Sequence, residues 1–292
     1  MINYSFPLYR PPAEANNIII QATYGCSYNH CSFCSMYKSK NFTIRELDEV
    51  YKEIDILSVS YPNANRVFLA DGDALCLETS HLLKLLKYLK KSFVKLKRVS
   101  VYATAQNLLE KTDEDLALLK DHLLNLVYFG IETGNELLLK KITKGVNTEQ
   151  IITSLNKASK AGLKTSVTVI LGIGGEEFTQ EHIKDTASII NKTTVTYLST
   201  LQLGLDDNVK QGFLKHFDNF KALDDFQVLD EQKRFIELLS PSNKVIFRSN
   251  HASNALHLAG TFTKDKKRLI QEVQDAILLG KRALVPNRFR GF

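Results

Sequence analysis

Three cysteines stand within nine residues, Cys26, Cys31 and Cys34, in the run Gln21-Ala-Thr-Tyr-Gly-Cys-Ser-Tyr-Asn-His-Cys-Ser-Phe-Cys34. The run follows an apolar segment that reads as a strand, so three thiols share one loop at a strand's C-terminal end. Three sulfur ligands from one short loop suit a cubane iron–sulfur cluster, whose corners lie close together. A four-iron cluster held by three cysteines keeps one iron open for a substrate or cofactor. The same stretch allows another metal. Cys26, His30, Cys31 and Cys34 make a Cys3His set for zinc, which with the basic tail would give a nucleic-acid-binding module. Against it, the adjacent His30 and Cys31 would have to chelate one ion together. Plain buried thiols are the remaining reading, and three in nine residues speak against it.

The fourth cysteine, Cys76, lies three residues after Asp73. It is a candidate catalytic residue, able to donate a hydrogen atom or anchor an intermediate. A core thiol is the plainer reading, because free cysteine is among the most buried residue types. It is too solitary for a second cluster. Arg248, Asn250, His251 and Asn254 crowd a polar segment after a predicted strand and suit either substrate contact or a hydrogen-bonded turn. Tyr102, Gln106, Ser199 and Gln202 sit at or near predicted strand ends, where they could face a cavity. Lys281, Arg282, Arg288 and Arg290 could contact phosphates or form a solvated basic face.

The chain that must position these groups has 292 residues, 44% hydrophobic and 24% charged, with a net charge of +6. Its length suits one α/β barrel, and the apolar material is ample for a large core. The mild positive excess fits an anionic small molecule, RNA or nothing in particular, so it identifies no partner. No apolar core of signal-peptide length opens the sequence, and no run of about 18 apolar residues occurs. The expectation is a cytoplasmic protein without a membrane span. Four cysteines in such a chain point to metal or catalysis and away from a disulfide framework.

Six β-rich runs alternate with amphipathic helical runs, at residues 17–23, 66–70, 98–104, 126–131, 164–171 and 195–203. Helix starts are marked by capping-box pairs: Thr43 with Glu46, Thr112 with Asp115, and Asn147 with Gln150, the last helix ending at Gly162. Strands alternating with helices predict parallel pairing, with chemistry where strands end. The expected fold class is α/β, a partial (β/α)6 TIM-like barrel with a mostly helical C-terminal extension. Residues 1–16 read as an N-terminal segment, 17–205 as the core barrel and 206–292 as the extension. Within the extension, residues 206–239 read as helical and 244–248 as one further strand. Thr263 is expected to cap a last helix running to about Ala283, followed by an unstructured basic tail.

Cys26, Cys31, Phe33 and Cys34 resemble the signature loop of radical S-adenosylmethionine (SAM) enzymes, in which an aromatic residue precedes the third cysteine. The spacing differs by one: four residues separate the first two cysteines here, against three in the commonest form. The resemblance covers residues 17–205. Val67-Phe-Leu-Ala-Asp-Gly-Asp73 stands where the family's second strand ends against the methionine amino group of SAM. Tyr128-Phe-Gly-Ile-Glu132-Thr-Gly134 resembles the fourth-strand motif, continued by residues 136–145. Ile170-Leu-Gly172-Ile-Gly174-Gly175 looks like the fifth-strand glycine motif beside the adenine. The Elongator-type, methylthiotransferase and oxygen-independent coproporphyrinogen-oxidase barrels are the most similar group.

The resemblance implies a 4Fe-4S cluster on Cys26, Cys31 and Cys34. It implies SAM contacts from Phe33, Gly72, Asp73, Glu132, Gly172, Gly174 and Gly175. A zwitterion on a nucleoside needs acceptors for its ammonium, and Asp73 and the carbonyls around Gly72 could supply them. The implied reaction is reductive cleavage of SAM to a 5′-deoxyadenosyl radical that abstracts hydrogen from a small-molecule or nucleoside substrate. An external one-electron reductant such as flavodoxin or ferredoxin would serve it. No cobalamin-binding or acetyltransferase domain is recognisable and no extra cysteines support sulfur insertion, which disfavours cobalamin-dependent methylation, Elongator-type acylation and methylthiolation. A scaffold that binds cluster and SAM without turnover is the other alternative.

Overall fold

The computed structural model describes residue 2 and residues 4–291. The chain divides into two compact units. The first holds the residues up to Asn29, Met36–Phe129 and Asn156–Thr165; the second holds His30–Ser35, Gly130–Leu155 and the chain from Ser166 on.

In the first unit, β1 (Ile18–Gln21) precedes a separate two-stranded antiparallel ribbon, β2 (Thr23–Tyr24) and β3 (Thr43–Ile44), whose intervening residues include the three cysteines. Then come α1 (Leu47–Ser60), β4 (Arg66–Ala70), α2 (Thr79–Ser92), β5 (Arg98–Ala103), α3 (Ala105–Glu110) and α4 (Asp113–Asp121). The strand β6 (Leu124–Glu132) carries the chain into the second unit. Pairing is parallel from β1 to β4, β4 to β5 and β5 to β6. Runs such as Val67-Phe-Leu-Ala70 are buried throughout, as a parallel strand covered on both faces requires.

The second unit contains α5 (Glu136–Lys141) and much of α6 (Thr148–Lys160), then β7 (Lys164–Leu171), α7 (Gly175–Lys192) and β8 (Tyr197–Gln202). The helices α8 (Asp207–Leu214) and α9 (Asp225–Leu238) follow, then β9 (Val245–Ser249), β10 (Leu258–Phe262) and α10 (Lys266–Leu279). β7, β8 and β9 pair in parallel, and β10 closes the edge antiparallel to β9. The sheet order is β1-β4-β5-β6-β7-β8-β9-β10. The fold class read from the sequence is therefore the one observed, with two sheet strands beyond the six of the expected core.

Local expectations divide. Thr112 and Asp115 form the expected reciprocal cap, and Asn147 and Gln150 exchange backbone-to-side-chain bonds of 2.9 and 2.8 Å. Thr43 does not cap α1. It pairs with Tyr24 in the ribbon, and the helix begins after Glu46 without a side-chain cap. Thr263 likewise gives way to Asp265, whose carboxylate turns back to the Thr261 amide. The single helical stretch over 206–239 breaks into α8 and α9, with Asp224 and Gln227 capping the second.

The short turn Pro12–Glu14 is tied to β5 and β6 by one buried carboxylate. Glu14 accepts from the Tyr128 hydroxyl at 2.6 Å and from Arg98 at 2.7 Å. Replacing Glu14 by Ala leaves a buried phenol and a guanidinium without their acceptor. We expect a loss of about 3 kcal/mol, against about 1 kcal/mol for Glu14→Gln. Urea unfolding curves check this, and an alanine variant within about 1 kcal/mol of the parent would refute the anchoring role.

Candidate functional site

In the first unit, the end of β4 and the start of the cysteine loop are built together. Asp71 is fully buried and accepts from Gln21 Nε2 at 3.1 Å, the Gly25 amide at 3.0 Å and Lys40 Nζ at 2.8 Å. Asp73, also fully buried, accepts from the Ser27 amide at 2.8 Å and from the Ser27 hydroxyl. Burial raises the Asp73 carboxyl above its ordinary range, while hydrogen bonds from Ser27, Asn107 and Cys26 pull it back. Between the two acids, the Gly72 amide donates to the Gly25 carbonyl at 3.0 Å. A Cβ on Gly72 would lie 2.7 Å from Cys26 Cβ and 3.0 Å from the Tyr37 ring, so only glycine fits against the first cysteine. Arg45, paired bidentately with Glu53, reaches the Gln21 carbonyl at 3.0 Å and fixes the strand on the loop's other side.

Cys76 ends the turn Ala74–Cys76 and donates its amide to the Asp73 carbonyl at 2.9 Å. Burial first, then the Asp73 charge, pushes its thiol up to about 12. Tyr102 stacks edge-on with Phe68 and Tyr128 in an aromatic cluster.

In the second unit, Cys31 and Cys34 sit on a stretch sewn to the end of α5. The Ser32 amide donates to the Ile142 carbonyl at 2.9 Å, and the Thr143 hydroxyl donates to the His30 carbonyl at 2.8 Å. Phe33 packs on the cluster of Leu138, Ile142, Ile170, Ile173, Phe213 and Phe217. Glu132 ends β6 with a left-handed φ of +62° and pairs with Lys144 at 2.9 Å; its side chain is 10% exposed and that of Lys144 14%. Burial pulls the Lys144 ammonium down, but Glu132 and then the neighbouring Cys31 and Cys34 outweigh it, and the net shift is upward.

The glycine motif closes β7. Gly172 takes φ +77° and Gly175 φ +59°, a turn that L side chains resist. The room a side chain would need is filled by the chain itself: Phe178 and Leu138 crowd Gly174, and Phe220 and the Lys221 carbonyl crowd Gly175. The Gly172 amide donates to Glu231 at 2.6 Å, and Thr179 bonds the same carboxylate. His182 Nδ1 lies 2.9 Å from Thr133 Oγ1, and its Nε2 lies 4.0 Å from Glu231 Oε1.

The polar residues after β9 resolve into structure. Asn254 is buried, donating to the Thr200 carbonyl at 2.8 Å and accepting from the Gln202 amide at 2.8 Å. Arg248 and Asn250 are exposed, and the His251 ring bonds Ser253. Of the tail cations, Arg290 is buried against Asp225 at 2.7 and 2.9 Å, while Lys281, Arg282 and Arg288 are exposed.

The donor chemistry fits an iron–sulfur cluster: the three cysteines are half-exposed and outside any disulfide, and in the first unit a glycine is moulded to Cys26. Among the described residues, no three His, Cys, Asp or Glu side chains gather as ligands of a single metal ion. The zinc reading has no support there. A family model described as the radical SAM superfamily matches residues 20–190. This chain belongs to the radical SAM superfamily. Enzymes of that superfamily bind a 4Fe-4S cluster and SAM.

Among relatives, a Methanocaldococcus jannaschii protein named as a candidate methylthiotransferase is 26% identical over 186 residues, 58% of this chain and 39% of its own length. The heme chaperone HemW of Buchnera aphidicola is 23% identical over 222 residues, 71% of this chain and 56% of that one. This radical SAM chain thus spans about two-fifths to just over half the length of these relatives. The Escherichia coli coproporphyrinogen III oxidase HemN, a radical SAM enzyme, shares the fold with a TM-score of 0.55 at 16% identity; the likeness covers 76% of this chain and 51% of that one. No helix among the described residues is long and apolar enough to cross a membrane.

Asp71, Lys144 and Glu231 escaped the sequence reading. Asp71 left a signal as the first acid of Asp-Gly-Asp, and Lys144 as part of the run 136–145 that continues the fourth-strand motif. Burial raises the Glu231 carboxyl from 4.5 to about 7, and burial lowers His182 to about 4. A raised carboxyl adds stability below its unfolded pKa and loses it as pH rises through the folded value. Relative to Glu231→Gln, the parent should therefore lose up to about 3 kcal/mol between pH 4.5 and 7. His182, 4.0 Å away, acts oppositely, its contribution fading as pH falls from 6.5 to 4, and repeating the comparison in a His182→Gln background separates the two. Melting the pair of proteins across this range measures the effect, and a pH-independent difference would show that Glu231 does not take up the proton.

Proposed function

We propose that this chain is a radical SAM enzyme in which Cys26, Cys31 and Cys34 ligate a 4Fe-4S cluster and residues 17–205 form the catalytic core. The observation that supports the reading is the anchoring of the cysteines within each unit: Asp71 and Asp73 hold Gly25 and Ser27 beside Cys26 in the first, and the end of α5 holds His30 and Ser32 beside Cys31 in the second. Bound there and reduced by an external one-electron donor such as flavodoxin or ferredoxin, the cluster supplies the electron that splits SAM into methionine and a 5′-deoxyadenosyl radical, which takes hydrogen from the substrate.

The chain's own groups orient the partners. The carbonyls around Gly72 offer acceptors to the amino group of SAM, and Asp73 holds that turn through Ser27. Glu132 offers a fixed carboxylate, and the Gly172 turn, braced by Glu231, offers backbone to the adenine. Phe33, packed on the phenylalanines behind it, fixes the backbone next to the third cysteine.

Anaerobic reconstitution with iron and sulfide, then dithionite and SAM, tests the proposal. We expect about four irons per chain and cysteine-dependent 5′-deoxyadenosine, with Cys26→Ala, Cys31→Ala and Cys34→Ala each falling to background. Stoichiometric zinc without SAM cleavage would overturn it, and cluster loading without cleavage would leave a binding scaffold.

A further inference from the structure

Lys144 lies in the run 136–145 that follows the fourth-strand motif, where the resemblance gives it no role, and the fold brings its segment back to the cysteine loop. Its ammonium is 2.9 Å from Glu132 Oε1, and both side chains are close to nine-tenths buried. The pair folds back over β6: a Cβ on Gly130 would collide with the Glu132 carboxylate and lie 3.1 Å from Lys144 Nζ. Glu132 and Thr143, each next to or within this turn, both take left-handed backbone at φ +62° and +49°. Such positions cost about 1–3 kcal/mol each and persist where surrounding contacts fix them. The segment ending in Lys144 is stitched to the residues flanking Cys31: the Ser32 amide donates to the Ile142 carbonyl and the Thr143 hydroxyl to the His30 carbonyl, so Lys144 follows directly on the two residues that hold the cysteine loop.

We propose that Lys144 is a positioning residue that sets the reduction potential of the cluster, with Glu132 as its built-in counterweight. This rests on the assignment of Cys31 and Cys34 as cluster ligands. Three thiolates give the cluster a net negative charge, and reduction adds one more. A fixed cation in a weakly solvated place favours the reduced state, because net charge and solvent exposure both move such potentials. Glu132 offsets part of that field while being held by it, so the two side chains act on the potential with opposite sign.

The test is a potentiometric titration of the reconstituted protein without SAM, following the electron paramagnetic resonance signal of the reduced cluster. Lys144→Met should lower the reduced-to-oxidised ratio at fixed potential about tenfold, a midpoint about 59 mV more negative for one electron. Glu132→Gln should shift it about as far the other way. Lys144→Arg, and the double variant Glu132→Gln with Lys144→Met, should stay within about threefold of the parent. Unchanged midpoints in both single variants would overturn the proposal. If Lys144→Met fails to load iron, the rise in Glu132→Gln and the parity of Lys144→Arg decide it. A parent protein that loads no cluster would instead overturn the cysteine assignment, and this inference with it.

Discussion

Two buried carboxylates at the end of β4 fix where the cysteine loop begins. At its start, around Cys26, the loop is held chiefly by polar contacts. Asp71 collects a side-chain amide, a backbone amide and the Lys40 ammonium, which also donates to the Ser5 carbonyl at 2.7 Å. Asp73 collects both donors of Ser27. Uncompensated, either charge would be expensive in so dry a place, and removing one partner of such a pair costs about 3–5 kcal/mol. The arrangement therefore has little freedom to drift. Gly72, between the acids, is confined by Cys26 and Tyr37. The chemistry of the loop inherits its precision from these acceptors.

The second cysteine pair is placed by backbone conformation more than by charge. Left-handed φ values at Glu132 and Thr143 turn the chain so that Lys144 comes back over Gly130 while Thr143 bonds the His30 carbonyl. Phe33 then lies on a cluster to which α5, β7 and α8 all contribute. Lys141 fastens that cluster by donating to the His216 carbonyl at 2.9 Å and standing 5.1 Å from the Phe217 ring centre. The aromatic residue before Cys34 is thus tied to residues far along the chain, so the extension contributes to the surroundings of the cysteine loop.

What the sequence showed follows from the range of each interaction. The six core strands were legible because β-branched runs buried on both faces need no partner to be recognised. The caps at Thr112 and Asn147 were legible because both halves lie within one turn. Thr43 carried the same local pattern and was misread. Pairing with Tyr24, nineteen positions earlier, takes it into the ribbon. β10 was missed because Leu258-Ala-Gly-Thr-Phe262 is short and interrupted by glycine, and it becomes a strand only beside β9. The cysteine loop declared itself by spacing, and Glu132 by the motif it closes. Lys144 lay in the run that continues that motif but its pairing did not show, and Glu231 did not declare itself at all, because it acts on a partner distant in sequence and an ordinary glutamate carries no mark of burial.

Parallel strands that stop at one edge expose amides that no neighbouring strand can satisfy. At the ends of β7 and β8 those amides belong to Gly172 and Gln202, and both are met by the C-terminal region: Glu231 for the first, Asn254 for the second. Gln202 in turn bonds Asp225, which the bidentate Arg290 holds from the tail. Residues after 205 therefore complete the edge on which the glycine turn sits. A change in that region that kept Glu231 and Asn254 would leave the backbone at both strand ends supported, while the surface beyond them was free to alter. The carboxylates holding the start of the cysteine loop lie in a different part of the chain and depend on neither residue. The start of the cysteine loop and the glycine turn therefore rest on separate sets of contacts.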